Sequence, residues 1–220
     1  MDKRYCIFDM DGTLVDSMGY WLSLEHDYLT AHGMSEGKEM DELVTRLRPM
    51  TLVDAAKVFI AELGFSGTPE SIAYEMNEVM HDNYRYKVPL KAGVDLYLKA
   101  LRERGATLCT ASATNVPLVK TCLEHLKIAD YFDFMLSCEE VGKSKDQPDV
   151  FIEAACRLGA KPKDIAVFED SLVALRTAKQ AGFYVIAVAD KNNSVGFDSL
   201  AEVADETVMD WANAIANIDL

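Results

Sequence analysis

Five short apolar runs, each rich in β-branched or aromatic residues, punctuate the chain at Tyr5 to Phe8, Ala106 to Ala111, Tyr131 to Leu136, Ile165 to Phe168 and Phe183 to Val188. Hydrophobicity within them is continuous rather than alternating, the pattern of strands covered on both faces. Stretches of helix length separate the runs, and strands alternating with helices predict parallel pairing through crossovers. The expected fold class is therefore α/β, a doubly wound parallel sheet with a Rossmann-like core. Helix punctuation falls between the strands. Asn115 with Pro117 opens one helix, Gly159 closes another, and a helix from Ser171 through Ala181 ends at Gly182.

Residues 16–88 break this pattern, because no strand-like run occurs there and helical spacing takes over. Ser17 can cap a helix carrying Tyr20, Leu24, Tyr28 and Ala31. Thr51 can cap a second with Ala55, Phe59 and Leu63, closed by Gly64, and Thr68 followed by Pro69 starts a third with Ile72, Met76, Val79 and Met80 on one side. The expected organisation is an α/β core of residues 1–15 and 89–220 with an α-helical domain, 16–88, inserted into it. Hinges are expected at Leu14 to Gly19 and at Tyr86 to Gly93, where Pro89 and Gly93 punctuate the chain. Six of the ten methionines (Met18, Met34, Met40, Met50, Met76, Met80) lie in the insert and are read as core filler rather than as an adaptable ligand-facing surface.

The 220 residues are 50% hydrophobic, enough for one or two domains with a buried core. Acidic side chains outnumber basic ones 36 to 22, a net charge of −14, which opposes an electrostatic footprint on nucleic acid or on an anionic membrane. No apolar run approaches the ~18 residues of a membrane span, and the N-terminus has no apolar leader core, so a soluble cytoplasmic protein is expected. Five cysteines without a Cys-x-x-Cys pair indicate neither a disulfide framework nor a thiolate zinc site, and read as small buried apolar residues.

Chemistry concentrates at the strand ends. The first strand runs into Asp9-Met10-Asp11-Gly12-Thr13, and residues two apart in an extended chain start on one face, at the carboxyl edge where open α/β sheets place their sites. Alone, that segment is an Asp-Gly turn. However, Ile165-Ala166-Val167-Phe168-Glu169-Asp170-Ser171 repeats the arrangement, a strand ending in two acids before a helix. Two acidic strand ends on one sheet can supply the hard oxygen ligands that Mg²⁺ prefers. Thr110-Ala111-Ser112-Ala113-Thr114 adds hydroxyls and a helix N-terminus suited to a phosphate oxygen, and Gly142-Lys143-Ser144-Lys145 adds two cations.

With those motifs in that order, the chain resembles, over nearly its whole length, the haloacid dehalogenase superfamily of phosphatases and phosphomutases, in the branch with a helical cap. Asp9-Met10-Asp11-Gly12-Thr13 is similar to its first motif, Ser112 to the second, Lys145 to the third and Glu169-Asp170 to the fourth. The resemblance implies Asp9 as the nucleophile that forms an aspartyl-phosphate and Asp11 as the acid that protonates the leaving oxygen and later takes a proton from water. An unperturbed carboxylate pKa of ~4 would leave Asp9 ionised at pH 7 without a base. Mg²⁺ would be held by Asp9, the backbone carbonyl of Asp11 and Asp170, with Glu169 ligating directly or through water. Ser112, Ala113 and Lys145 would bind the transferring phosphoryl group, with Trp21 and Arg48 of the cap against the rest of a small phosphorylated metabolite.

Departures from the family pattern sharpen this reading. The third motif commonly reads Lys-Pro-x-Pro-Asp, whereas here it is Lys145-Asp146-Gln147-Pro148-Asp149, with Lys143 as a rival. A frequent acid four residues after the fourth-motif aspartate is replaced by Ala174. Haloacid dehalogenation is disfavoured by the presence of Asp11. β-Phosphoglucomutase-like relatives use a cap histidine and a cap arginine where this chain has Trp21 and Leu52, with Arg46 and Arg48 a little earlier, which favours simple hydrolysis. A Mg²⁺-dependent phosphatase is the expected activity, with a sugar phosphomutase and a catalytically idle binding protein on the same fold as the alternatives.

Overall fold

The computed structural model describes residues 3–47, 50–193 and 195–215, and the chain divides into two compact units, Met1–Met18 with Val88–Leu220, and Gly19–Lys87. In the larger unit the strands are β1 (Tyr5–Phe8), β2 (Thr107–Ser112), β3 (Phe134–Ser137), β4 (Ile165–Glu169), β5 (Tyr184–Val188) and β6 (Glu206–Val208). They form one sheet in the order β3-β2-β1-β4-β5-β6, with every neighbouring pair parallel. Successive crossovers leave β1 in opposite directions, so a crevice opens at the carboxyl ends of β1, β2 and β4, the switch point at which such sheets hold ligands. The doubly wound α/β core expected from the hydrophobic pattern is present.

Register sets the site. Phe8 is aligned with Thr110 on one side and Phe168 on the other, so the chain segments that follow all three emerge at the same level. Phe8 and Phe168 stack at 4.3 Å between ring centroids, and Trp211 and Tyr97 pack edge-on or tilted around Phe168, so an aromatic cluster underlies the acidic strand ends. Helices α5 (Val94–Glu103), α6 (Val116–His125), α7 (Cys138–Val141), α8 (Asp149–Leu158), α9 (Leu172–Gln180), α10 (Phe197–Ala201) and α11 (Trp211–Ile215) complete this unit. Asn115 and Ser171 cap α6 and α9 through their side-chain oxygens, and Gly159 ends α8 with φ 63°, as their positions in the sequence suggest.

Two strand assignments differ from the hydrophobic pattern. Tyr131 lies in a 3₁₀ turn, and β3 starts only at Phe134. The cause is Asp133, whose N–H donates to the Leu108 carbonyl at 2.8 Å while its carboxylate accepts the Leu108 N–H at 3.1 Å, so pairing begins with that side-chain clasp. Strand β6, Glu-Thr-Val, is too short and too polar to be read from periodicity, and it exists because β5 offers an open edge, with Val188 aligned to Val208. Four of the five cysteines are buried, and Cys156 is exposed, on the outer face of α8.

The smaller unit is helical. Its helices are α1 (Met18–Ala31), α2 (Lys38–Leu47), α3 (Leu52–Leu63) and α4 (Pro69–Tyr86). Thr51 caps α3, Gly64 closes it in the left-handed region, and Thr68 with Ser71 forms a capping box at α4. Helix α2 was not legible from sequence because five of its ten residues are charged and the residue directly before it is Gly37 rather than Ser, Thr, Asn or Asp, although Met40, Leu43, Val44 and Leu47 give it a buried stripe. Along α1 the buried stripe is Leu24, Tyr28 and Leu29, with Ala31 exposed, since 3.6 residues per turn carry the apolar face past a strict four-residue repeat. Met40, Met76 and Met80 are fully buried core residues, whereas Met50 is exposed.

Candidate active site

The Asp9–Val15 segment folds back at once. The Met10 carbonyl accepts the N–H groups of Thr13, Leu14 and Val15 at 3.3, 2.9 and 3.1 Å, a turn that brings Gly12 to φ 75°. A side chain at position 12 would also collide with the Asp170 carboxylate, whose Cγ would lie 2.8 Å from the added Cβ. Gly12 is thus required by both conformation and proximity. Gly12→Ala is expected to displace the Asp170 carboxylate and so to lower kcat by about 10–100-fold, with a smaller loss of stability. Steady-state kinetics beside a thermal melt checks this.

Asp9 N–H donates to the Phe168 carbonyl at 3.0 Å, which extends the β1–β4 pairing by one residue and sets Asp9 beside Glu169 and Asp170. Carboxylate oxygens of these three buried acids lie within 4.8 Å of one another. The Lys145 ammonium reaches in from the loop before α8, 2.5 Å from both Asp9 Oδ1 and Glu169 Oε1. Lys143, the rival, is exposed. The second Glu169 oxygen accepts the Ser171 N–H at 3.0 Å, which ties the acid to the start of α9. Asp170 accepts the Thr13 hydroxyl at 3.2 Å, and its carbonyl accepts Asn193 Nδ2 at 2.5 Å.

Electrostatics here are unbalanced. Three buried carboxylates against one ammonium leave two negative charges, the amount that one divalent cation offsets. Burial, followed by the Glu169, Asp170 and Asp11 charges, pushes the Asp9 carboxyl well above the ordinary range despite Lys145. Burial and Glu169 push Asp170 up to about 7, against the opposing pull of Lys91 and Lys145. Burial alone would lower Lys145, but Asp9 and Glu169 outweigh it and drive its pKa up, so it stays charged. An ordinary carboxylate pKa therefore does not describe Asp9, whose charged form is disfavoured by burial and by the neighbouring acids and favoured by Lys145. The donor set, all hard oxygens, fits Mg²⁺.

Asp11 is held differently. The Ser17 hydroxyl donates to its Oδ1 at 2.6 Å and the Thr114 hydroxyl to its Oδ2 at 2.7 Å, and its carboxylate is not among the three converging acids. Ser112 ends β2, fully buried, with its Oγ accepting the Thr114 N–H at 3.0 Å, while Ala113 beside it is exposed. The structure thus brings together Asp9, Lys145, Glu169 and Asp170, and links Asp11 to Ser112 through Thr114. Ser17, Thr13, Thr114 and Asn193 were not read as site residues. Ser17 looked like an ordinary helix cap, and the hydroxyl run around Ser112 was the one signal pointing to Thr114.

In the helical unit, Trp21 donates its indole N–H to the Tyr84 hydroxyl at 2.9 Å, and Arg46 pairs with Glu62 at 2.5 Å. Arg48 lies outside the described residues.

Acids and a lysine gather at the switch point of a doubly wound sheet, the place where such folds hold small ligands. The family model of haloacid dehalogenase-like hydrolases matches residues 6–188. The chain belongs to that family. It is 28% identical over 190 residues to hexitol phosphatase B of Escherichia coli K12, covering 83% of this chain and 82% of that one. It is 27% identical over 184 residues to the bifunctional riboflavin kinase/FMN phosphatase of Arabidopsis thaliana, covering 83% of this chain and 47% of that one, so it spans about half the length of that relative. A Thermotoga maritima crystal structure provisionally named as a β-phosphoglucomutase superposes with a TM-score of 0.81 at 21% identity, covering 98% of this chain and all of the other, a likeness of fold. Among the described residues no helix is long and apolar enough to cross a membrane.

Proposed function

We propose that this hydrolase of phosphoric monoesters releases inorganic phosphate from a small phosphorylated metabolite, with Asp9 as nucleophile and Mg²⁺ as cofactor. The observation that carries the reading is the convergence of Asp9, Glu169 and Asp170 around Lys145 with Asp11 held beside them by two hydroxyls. Curated relatives named as phosphatases of hexitol phosphate and FMN support the reaction class.

Asp9 and Asp170 would hold the ion with the backbone carbonyl of Asp11, and Glu169 would ligate it directly or through water. When bound, Mg²⁺ supplies positive charge that keeps Asp9 ionised and lowers its repulsion from phosphate. Asp9 Oδ attacks phosphorus, the ester P–O bond breaks, and Asp11, which enters this step protonated, gives that proton to the leaving alkoxide and becomes the carboxylate that the Ser17 and Thr114 hydroxyls hydrogen-bond. Asp11 then takes a proton from water as the water oxygen attacks the aspartyl-phosphate, and the Asp9 carboxylate leaves with inorganic phosphate released. Ser17 and Thr114 hold both Asp11 oxygens, so the acid is aimed without freedom to rotate. Ser112 and Lys145 bind the equatorial oxygens of the transferring group. The helical unit is the proposed cap, and selectivity for the leaving group is assigned to it.

Phosphate release from p-nitrophenyl phosphate and a panel of sugar and polyol phosphates tests this, with Mg²⁺ and then with EDTA. The expected result is turnover that EDTA abolishes, with free alcohol rather than an isomerised phosphate as product. No release from any ester would overturn the reading in favour of an idle binding protein, and isomerised product would favour a mutase. Saturating Mg²⁺ at ~100-fold over its Kd contributes about 2.7 kcal/mol to stability, and at ~2–4 °C per kcal/mol the melting temperature should rise by roughly 5–10 °C.

A further inference from the structure

We propose that Lys91 is a positioning residue that pins the nucleophile turn to the loop supporting Asp170. It stands at the second hinge, far in sequence from both. Its ammonium donates to the carbonyl of Gly12 and, at 2.8 Å, to the carbonyl of Ala189. Asp190 Oδ2 faces it at 2.8 Å, in a Coulombic pairing rather than a directed hydrogen bond. Its backbone N–H donates to the Leu14 carbonyl at 3.0 Å, so Lys91 grips the Asp9–Val15 turn at two points. The other arm reaches Asp170, because the Ala189–Asn193 loop returns Asn193 Nδ2 to the Asp170 carbonyl.

Three features separate this from an ordinary surface ion pair. The Lys91 and Asp190 side chains are 13% and 1% exposed, so the cation has left water for acceptors supplied by two different loops. Both carbonyls lie outside the sheet ladder, that of Gly12 in the turn beyond β1 and that of Ala189 directly after β5. Nothing else among the described contacts joins the Gly12 carbonyl to the β5 loop. Beside the direct Asp9–Phe168 and Thr13–Asp170 hydrogen bonds and the Lys191–Asp16 ion pair at 2.7 Å, the lysine is the buried side chain that fixes the separation between the turn carrying Asp11 and Gly12 and the loop that holds the Asp170 carbonyl. A cavity of about 540 Å³ lined by Lys91, Asp16, Leu90, Phe197 and Met209 opens beside the ammonium, which gives a small cation a way in.

The inference rests on the proposed role of Asp9 and Asp170, and its test includes a readout that does not. In Lys91→Ala the amides of Thr13, Leu14 and Val15 should exchange hydrogen faster in EDTA, Mg²⁺ binding by calorimetry should weaken, and kcat should fall, the last two by about 10–100-fold with KM little changed, as for lost support of a ligand. Propylammonium should restore amide protection, Mg²⁺ binding and kcat together, while propanol should not. Lys91→Met with Asp190→Asn removes both charges and keeps the fold from carrying an unpaired buried carboxylate, and it should show the same defects at near wild-type melting temperature. Asn193→Ala, on the partly exposed loop, should weaken Mg²⁺ binding without loosening the turn amides. Unchanged amide exchange and Mg²⁺ affinity in the lysine variants would overturn the inference, as would rescue by propanol. Absence of turnover in the wild type would overturn only the proposed function, since exchange rates still report the pin.

Discussion

Asp9→Asn is expected to remove turnover, by about 10⁴-fold or more, because an amide oxygen cannot form the covalent phosphoryl intermediate and residual positioning offers no substitute nucleophile. The fold should survive and in EDTA should strengthen. Asp9 is buried, and its carboxyl is raised by burial and by the Glu169, Asp170 and Asp11 charges. A carboxyl whose folded pKa lies above its unfolded value of ~4 contributes stability that is full below that pH and is lost as pH rises through the folded value. For Asp170 that value is about 7. In EDTA the wild type should therefore lose stability toward alkaline pH, and Asp9→Asn, with one such group removed, should lose less. Melting curves at pH 5 and pH 8 read the difference, and phosphate release reads the activity. Turnover retained in Asp9→Asn would exclude Asp9 as the nucleophile.

Lys145→Met should cost both stability and activity. The ammonium is the one cation within 2.5 Å of Asp9 and Glu169 among the described contacts, and removing it leaves two buried carboxylates facing each other. Stripping one partner from a buried ion pair costs about 3 kcal/mol or more, roughly 6–12 °C in melting temperature for a chain of this size. Saturating Mg²⁺ should recover part of that loss by supplying charge at the same carboxylates. It should not recover kcat, expected to fall by ~10²–10³ because a donor aimed at the transferring phosphoryl oxygens is gone. Lys145→Arg should be nearly as poor, since a planar fork does not reproduce a compact ammonium between two oxygens. A Lys145→Met protein with wild-type kcat would show that the lysine only balances charge.

Much of the site was legible because its acids sit at strand ends. A strand of continuous apolar residues followed by two acids says where the acids go, whichever strand is the neighbour, and both Asp9-Met10-Asp11 and Glu169-Asp170 have that form. Lys145 was recognised from its distance to Pro148-Asp149 rather than from any local signal, and the structure places it between Asp9 and Glu169. Ser17, Thr114 and Asn193 were illegible. Each is a common turn or cap residue whose side chain could satisfy its own backbone, and here each reaches another segment, as Thr114 does across 103 positions to Asp11. Helix α2 and strand β6 were missed for the opposite reason, weak local pattern rescued by a partner surface.

By itself the sequence determined the layers, the helical insertion and the acids and lysine available for chemistry, because hydrophobic period and strand-end position are local properties of the chain. The tertiary structure decided which of those groups share one small volume. Parallel register aligns Phe8 with Phe168 and Thr110, so that Asp9, Asp170 and the Ser112–Thr114 turn meet at one level, and Lys91 ties Gly12 to Ala189 across 79 and 98 positions of chain. Those long-range pairings also exclude water, and it is the loss of water that raises the carboxyls of Asp9 and Asp170 above the ordinary aspartate range.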